Sequence, residues 1–202
     1  MSNARPLVIG LTGSIAMGKS TVAQMFEDAG VPVFDADAEV RRMQGPAGGL
    51  LPAIEAAFPG STGPEGVRRD ELGSIVFGDA DALARLETIV HPAVARQREQ
   101  FLETNSGASM VVFDIPLLFE KGAASLVDTV VVVSAPAQVQ RDRVLARKGM
   151  TEEKFAQIQD IQLPDAEKRA RADYVIDTGT PLDETRAQVK ALVDKLQADL
   201  HS

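Results

Sequence analysis

The sequence predicts an α/β fold in which helices cover a doubly wound sheet of five parallel strands. Two observations support this class. Short apolar runs alternate along the chain with segments of helical periodicity, and three of those runs end in or reach an aspartate. Since ligands of open α/β sheets bind at the carboxyl ends of the strands, these aspartates are candidate functional residues.

Five short apolar segments are predicted as strands. They are residues 6–12, 31–35, 109–114, 128–134 and 173–177. After the first strand, residues 21–30 have helical spacing and end in Gly30, which can adopt the left-handed conformation that closes helices. The last helix is expected from Asp183 to Leu200, and the chain shows no repeat and no interdomain linker.

An inserted helical region is expected between the second and third strands. Residues 45–66 are rich in Gly and Pro, so they are predicted as loop around one short helix. Residues 69–104 are predicted as helical but broken at His91-Pro92, because proline disfavours helix in the residue before it. We expect a single domain, 1–202, with its core at 5–45, 108–140 and 172–202, the inserted region at 46–107 and a lid at 141–171.

The composition limits the possible functions. The 202 residues include no cysteine, which excludes a disulfide framework and a thiolate metal site and fits a reducing cytosol. The net charge of −8 argues against general affinity for nucleic acid or anionic membranes. The apolar run Leu7 to Leu11 is too short for a signal-peptide core or a membrane span. A cytoplasmic protein without nucleic-acid or membrane partners is therefore expected.

A phosphate-binding loop is predicted after the first strand. GSIAMGKS matches the pattern G-x-x-x-x-G-K-[ST] in full, between a predicted strand and a predicted helix. Its glycines allow backbone N–H groups to surround phosphate oxygens, and the helix start adds the positive end of its dipole. In such a loop Lys19 bridges the β- and γ-phosphates of ATP, and Ser20 ligates Mg²⁺. The loop residues are Gly13, Ser14, Ile15, Ala16, Met17, Gly18, Lys19 and Ser20.

This loop predicts a P-loop NTPase fold but does not separate GTPases, ATPases and kinases; a glycine-rich turn with a solvated lysine is the weaker alternative. A GTPase needs a guanine-reading NKxD-type segment, which the sequence lacks, and the D-x-x-G match at Asp70 to Gly73 lies in a predicted helix. Mechanical and assembly ATPases usually have longer chains. A small-molecule kinase needs a base for the acceptor hydroxyl, an acceptor pocket and mobile arginines that exclude water.

Candidates for the base follow the second strand. Asp35 and Asp37 come at its carboxyl end, so one carboxylate would lie at the ligand edge of the sheet. Capping of the following helix is the alternative role for Asp37. We assign the functional role to Asp35.

Two basic clusters flank the amphipathic segment 151–167, which looks like a hinged lid. Arg141, Arg143 and Arg147 precede it, and Lys168, Arg169 and Arg171 follow it. Arg143 and Arg147 share a predicted helix face. In an acidic protein such clusters suggest closure over an anion, which the planar arginine fork grips well, although ordinary ion pairs on solvated helices explain many such runs.

Five segments together resemble the dephospho-coenzyme A kinase family in their order and spacing. They are IGLTGSIAMGKSTVA (9–23), FDADAEVRR (34–42), LETIVHPAV (86–94), VVFDIPLLFEKG (111–122) and AEKRARADYVID (166–177). The resemblance implies transfer of the γ-phosphoryl group of Mg·ATP to the ribose 3′-hydroxyl of dephospho-coenzyme A. It further implies that the inserted region binds this small-molecule acceptor.

The resemblance also implies roles for individual residues. Gly13 to Thr21 hold the ATP phosphates and Mg²⁺, Asp35 is the general base, and Arg143 and Arg147 are lid arginines that act with Lys19 on the transferred group. The residues implied at the acceptor are Asp37, Arg69, Leu72, His91, Leu117, Leu118 and Glu120. Bracing of a helix start is the alternative for His91, and core packing is the alternative for the leucines. For Asp114 a water-mediated Mg²⁺ role and helix capping are both open.

Two departures from the family pattern concern the nucleotide. Ser14, Ala16 and Met17 replace smaller loop residues, which is tolerable if these positions contribute mainly backbone. Asp177-Thr178-Gly179 replaces the usual Asp-Asn pair near the base. Two rival functions stay open, a nucleoside or nucleotide kinase with another acceptor and a nucleotide-dependent regulatory protein with weak turnover. A monomer is favoured.

Overall fold

The structure, a computed structural model, describes residues 5–200. Its strands are β1 (Leu7–Thr12), β2 (Val33–Asp35), β3 (Thr62–Gly63), β4 (Gly66–Val67), β5 (Met110–Asp114), β6 (Thr129–Ser134) and β7 (Tyr174–Asp177). Its α-helices are α1 (Lys19–Asp28), α2 (Ala36–Gln44), α3 (Leu51–Ala57), α4 (Arg69–Val76), α5 (Ala80–Thr104), α6 (Ala137–Leu145), α7 (Glu152–Asp160), α8 (Asp165–Ala170) and α9 (Leu182–Leu200). Within residues 5–200, no helix combines the length and the apolarity that crossing a membrane requires.

β1 lies at the centre of a five-stranded parallel sheet with the order β2-β5-β1-β6-β7. It pairs in parallel with β5 and with β6, and β6 pairs in parallel with β7. All five predicted strands are confirmed, each within one or two residues of its predicted start. The segment that follows β1 therefore leaves the sheet at the middle of its carboxyl edge.

The two faces of the sheet are buried by different parts of the chain. The face covered by α1 and α9 buries Ile9 and Leu11 of β1 with Val131 and Val133 of β6. On the opposite face, Val130 and Val132 pack against Leu118 and its neighbours. Because successive side chains of a strand alternate between faces, burial on both sides gives the continuous apolar runs seen in the sequence. The doubly wound class is confirmed.

The chain forms two compact units. Among the described residues, one comprises 5–34 and 105–200, and the other is Asp35–Thr104. In the second unit, buried side chains from α2, α3, α4 and α5 form one apolar cluster that includes Met43, Ile54, Phe58, Leu72 and Ala93. The predicted short helix in the Gly/Pro-rich stretch is α3, and the antiparallel β3–β4 pair that follows it was not predicted.

The predicted break at His91-Pro92 is wrong, because α5 continues through Pro92. A proline inside a helix removes one backbone hydrogen bond. This loss is offset by packing on both sides of it, since Leu86, Ile89 and Val90 before the proline and Ala93 and Val94 after it join the same cluster. The helical stretch instead breaks between α4 and α5, where Gly78 has a φ of +84°.

Candidate active site

The phosphate loop runs from β1 to α1, so the predicted strand–loop–helix context is confirmed. Gly18 caps α1 in the left-handed region with a φ of 87°, which strains a residue that carries a Cβ. Gly13 lies against β6, and a Cβ added there would be 2.7 Å from the carbonyl oxygen of Val133. Backbone geometry therefore requires both glycines of the motif.

Side chains of the loop contact the protein where they depart from the family pattern. The sulfur of Met17, which is buried, accepts a hydrogen bond from the Ala135 N–H at 3.1 Å. Ala16 has a positive φ of 59°, and its methyl packs against Val144 of α6 and Phe155 of α7. The side chains of Met17 and Ala16 are thus accommodated by contacts within the protein.

Lys19 forms an ion pair with Asp114, the last residue of β5. Both side chains are largely buried, with 17% of the lysine and 8% of the aspartate side chain exposed. The pair brings the lysine of the phosphate loop to the carboxyl end of the neighbouring strand. Capping and a magnesium role are the two interpretations that the sequence allows for Asp114, and the structure places its carboxylate at the ammonium group of Lys19.

A magnesium ion would find oxygen donors here. Ser20, at the start of α1, is exposed. The neighbouring residue, Lys19, contacts the carboxylate of Asp114, which is a second oxygen donor. Within residues 5–200, no group of three or more His, Cys, Asp or Glu side chains could hold a metal ion. Mg²⁺ needs no such group, because it usually takes one or two protein oxygen ligands together with phosphates and water. The donor set therefore fits a magnesium ion that arrives with a nucleotide.

Two cavities adjoin the phosphate loop. The first, about 380 Å³, is lined by Gly13 to Thr21 with Pro116, Arg147, Ile158 and Gln162. The second, about 400 Å³, is lined by Ala16, Gly18, Thr21, Arg143, Arg147, Thr178, Thr180, Leu182 and Thr185. We call them the phosphate cavity and the base cavity. Arg147 borders both, so a ligand that spans the two would pass its guanidinium group.

The two lid arginines differ in their surroundings. The sequence predicts Arg143 and Arg147 on one helix face, but α6 ends at Leu145 and Arg147 lies beyond it. Arg143 donates to the Thr178 hydroxyl at 3.1 Å and to the Thr178 carbonyl oxygen at 2.6 Å. The Thr178 hydroxyl donates in turn to the carbonyl oxygen of Met17 at 2.6 Å. Arg143 thereby ties α6 to the loop after β7, whereas Arg147 lines the phosphate cavity.

Two glutamines that the sequence analysis missed hold the peptide groups of Ile15. The side chain of Gln140, on α6, is buried and donates to the Ile15 carbonyl oxygen at 2.9 Å. The side-chain oxygen of Gln162 accepts from the Ile15 N–H at 3.1 Å. Glutamine is common on solvated helices, so sequence spacing alone does not single out either residue.

Glu120 is engaged within the protein. Its Oε1 accepts the Leu163 N–H at 2.8 Å and lies 2.8 Å from the ammonium nitrogen of Lys168, whose side chain is fully buried. Burial raises the pKa of Glu120, but Lys168 and the Leu163 N–H outweigh it, so this pKa lies below its usual range. The carboxylate predicted to wall an acceptor pocket therefore joins the segment after β5 to Leu163 and α8. Lys168, predicted as part of a basic cluster facing an anion, is inside the protein.

The two leucines near Glu120 separate. Leu118 is fully buried, and its Cδ1 would be 2.7 Å from a Cβ added at Gly10 of β1. This places the Leu118 side chain in the apolar core beside Val130 and Val132. Leu117 is half-buried and keeps an accessible surface.

Asp35 and Asp37 follow the sheet in the way the sequence suggests, with one correction. Asp35, not Asp37, caps α2, and its Oδ1 accepts the Ala38 N–H at 2.8 Å. The other carboxylate oxygen of Asp35 lies 3.6 Å from Arg41, and 43% of the Asp35 side chain is exposed. Asp37 lies in the first turn of α2 and is exposed. Asp35 thus caps the helix with one oxygen, while its other oxygen faces Arg41 on a partly exposed side chain.

The remaining predicted site residues lie on α4 and α5. Arg69 begins α4 and is exposed, whereas Leu72 is buried in the apolar cluster of its unit, so its side chain packs rather than contacts solvent. His91 is exposed in the middle of α5, which rules out a role in bracing a helix start. The D-x-x-G match at Asp70 to Gly73 lies inside α4, as expected for a chance match.

Comparison with known proteins gives a consistent result. A family model described as dephospho-CoA kinase matches residues 7–184. A dephospho-CoA kinase of Novosphingobium aromaticivorans is 70% identical over 189 residues, which cover 94% of each chain. A solved structure of a Thermus thermophilus protein has a TM-score of 0.80 at 34% identity, covering 96% of this chain and 99% of that one. The structure of dephospho-CoA kinase from Campylobacter jejuni has a TM-score of 0.67 at 23% identity, covering 96% and 98%, and supports the fold.

Proposed function

This chain belongs to the dephospho-CoA kinase family, and we propose that it transfers the γ-phosphoryl group of ATP to the ribose 3′-hydroxyl of dephospho-coenzyme A, giving coenzyme A and ADP. The observation that carries the proposal is the phosphate cavity, in which the loop Gly13 to Thr21 meets Arg147. Phosphoryl transfer needs little besides positioning and positive charge at the transferred group, and this cavity offers both.

ATP would span the two cavities. We propose that its triphosphate lies along the loop and that its base and sugar enter the base cavity, which several threonines and Leu182 line. Lys19 then exchanges the carboxylate of Asp114 for oxygens of the β- and γ-phosphates. Arg147 stabilises the charge on the transferred group, and Arg143 acts by holding Thr178 at the base cavity.

Ser20 would ligate Mg²⁺ directly, and Asp114 would reach the ion through water. When bound, the ion neutralises charge on the β- and γ-phosphates. The exposure of Ser20 leaves its hydroxyl open to such a ligand. This assignment rests on the donor chemistry of the two residues.

Asp35 is the proposed general base. As the 3′-oxygen attacks the γ-phosphorus, its proton passes to the carboxylate oxygen of Asp35 that does not cap α2. The hydrogen bond from the Ala38 N–H fixes the orientation of this carboxylate. A base held by a helix start needs little reorganisation when the acceptor binds.

The acceptor residues fall into two groups by burial. Asp37, Arg69, His91 and Leu117 have accessible side chains and are proposed to contact dephospho-coenzyme A. Leu72 and Leu118 are buried, and Glu120 is engaged by Lys168 and the Leu163 N–H, so these three would shape the site from within the protein. We further propose a monomer that acts in the cytoplasm without nucleic-acid or membrane partners.

A transfer assay tests the proposal. Purified protein is incubated with Mg²⁺ and γ-labelled ATP, and dephospho-coenzyme A competes with adenosine and nucleoside monophosphates as acceptors. Label on the 3′-hydroxyl of dephospho-coenzyme A alone is expected. Label on another acceptor, or hydrolysis alone, would discard the acceptor assignment while leaving the phosphate loop in place.

A further inference from the structure

Gln162 lies in the lid between α7 and α8 and reaches the phosphate loop. Its side-chain oxygen accepts the Ile15 N–H at 3.1 Å, and the residue lines the phosphate cavity. A lid residue is thus bonded to the backbone of the loop that surrounds the phosphates. Gln162 is half-buried, so it also borders the solvent that a closed site has to exclude.

The segment that carries Gln162 is fixed to the core on its other side. The next residue, Leu163, donates its N–H to Glu120, and Glu120 pairs with the buried Lys168 of α8. At the start of α8, Asp165 accepts a hydrogen bond from the hydroxyl of Ser134 at the end of β6, at 2.8 Å. The segment is therefore anchored on the C-terminal side of Gln162, and the Gln162 side chain makes its contact with the phosphate loop.

The opposite side of Ile15 is held as well. Gln140 donates to the Ile15 carbonyl oxygen from α6, and its side chain is buried. Bonds to both the N–H and the C=O groups fix the direction of the main chain at this position of the loop. Gln140 holds Ile15 from α6, whereas Gln162 holds it from the lid, so only the Gln162 contact is lost if the lid moves away from the loop.

We propose that Gln162 is a positioning residue for phosphoryl transfer, which holds the lid against the Ile15 N–H so that the γ-phosphoryl group passes to the alcohol rather than to water. The inference rests on the proposed function and adds the residue that couples lid to loop. A neutral carboxamide suits this position, because it accepts the N–H without repelling a triphosphate in the same cavity. Loss of the contact opens the cavity edge to water, which competes for the phosphoryl group.

Two variants distinguish loss of the Gln162–Ile15 hydrogen bond from the introduction of a charge. Gln162→Ala removes the acceptor, and Gln162→Glu keeps an acceptor but places a carboxylate at the phosphate cavity. Gln157→Ala is the matched control, because Gln157 is an exposed glutamine of the same lid, on α7. The readouts are the ratio of coenzyme A formed to phosphate released by hydrolysis, the KM for ATP, and hydrogen exchange of the Ile15 amide in the nucleotide-free protein.

Gln162→Ala is expected to lower the transfer-to-hydrolysis ratio and to speed exchange of the Ile15 amide, each roughly tenfold, the effect of one hydrogen bond. Gln162→Glu should keep slow exchange but raise the KM for ATP, and Gln157→Ala should match the wild type. Wild-type ratio and exchange in Gln162→Ala would overturn the inference, as would fast exchange with an unchanged ratio. A wild-type protein that makes no coenzyme A would instead refute the proposed function, and the exchange measurement would still test the contact.

Discussion

Arg143 donates two hydrogen bonds to Thr178, one to its hydroxyl oxygen and one to its carbonyl oxygen at 2.6 Å. Because Thr178 also bonds the carbonyl oxygen of Met17, this arginine connects α6 to the phosphate loop through the loop after β7. Arg147 instead borders both cavities. Two arginines that look equivalent in the sequence therefore occupy different places.

Arg147→Ala and Arg143→Ala should have different kinetic effects. Removing Arg147 should lower kcat about 100-fold or more, because it removes charge stabilisation from the transferred group. Removing Arg143 should mainly raise the KM for ATP, roughly tenfold, because the base cavity loses its brace. Steady-state kinetics with varied ATP distinguishes them, and Arg141→Ala, which removes only an exposed ion pair with Glu152, is the control. An equal loss of kcat in both variants would place Arg143 at the phosphoryl group instead.

Lys19→Ala should abolish phosphoryl transfer and also lower stability. Lys19 is largely buried and paired with Asp114. Its removal leaves a buried carboxylate without that partner, at a cost of about 1–3 kcal/mol. Lys19→Ala combined with Asp114→Asn should recover part of the unfolding free energy in urea denaturation without recovering turnover. Full stability of the single variant would show that the pair contributes nothing to the fold.

Asp35→Asn should lose turnover while keeping the fold. Asparagine caps helices about as well as aspartate, so α2 retains its N-terminal hydrogen bond. The amide cannot take the proton of the acceptor hydroxyl, so kcat should fall strongly while nucleotide affinity changes little. Asp35→Ala should lose a further ~1 kcal/mol of stability with the cap. If Asp35→Asn weakened only ATP binding, measured by calorimetry, Asp35 would belong with the magnesium ligands.

Glu120→Gln should destabilise the protein in a pH-dependent way. The pKa of Glu120 is lower in the folded protein than in the unfolded chain, where glutamate titrates at about 4.3. Its contribution to stability is therefore present above about pH 5 and is lost as the pH falls through the lower folded value. Urea denaturation of wild type and variant should differ most near neutral pH and converge in acid. Glu152→Gln, at an exposed pair, is the control, and a difference that does not vary with pH would contradict the role of the Glu120 charge.

Local sequence patterns predicted the strands and the phosphate loop that carry the site. Strands buried on both faces are apolar throughout, and the phosphate loop has its own glycine and lysine spacing, so both could be read from short segments. The continuation of α5 through Pro92 could not be predicted from a short segment, because it depends on apolar contacts that arise only when α5 packs against the rest of its unit. Local preference is a weak guide where tertiary packing compensates one lost hydrogen bond.

Side-chain partners within the site were harder to predict than the elements that carry them. Lys168 looks like a surface lysine in sequence, yet it is fully buried because Glu120 lies beside it in the fold. Gln140 and Gln162 meet Ile15 from segments more than a hundred residues away along the chain. Such pairings have no periodicity, so only the folded arrangement reveals them.

The strand order places the phosphate loop and the proposed general base, Asp35, on strands of different local stability. β1, which carries the phosphate loop, has a paired strand on each side, whereas Asp35 ends β2, a three-residue strand at the edge. Edge segments open at lower free energy than central ones, and central strands open only with global unfolding. As the denaturant concentration rises, the segment that holds Asp35 should therefore unfold before the phosphate loop does. The protein should then pass through a range of concentrations in which it binds ATP but no longer phosphorylates the acceptor.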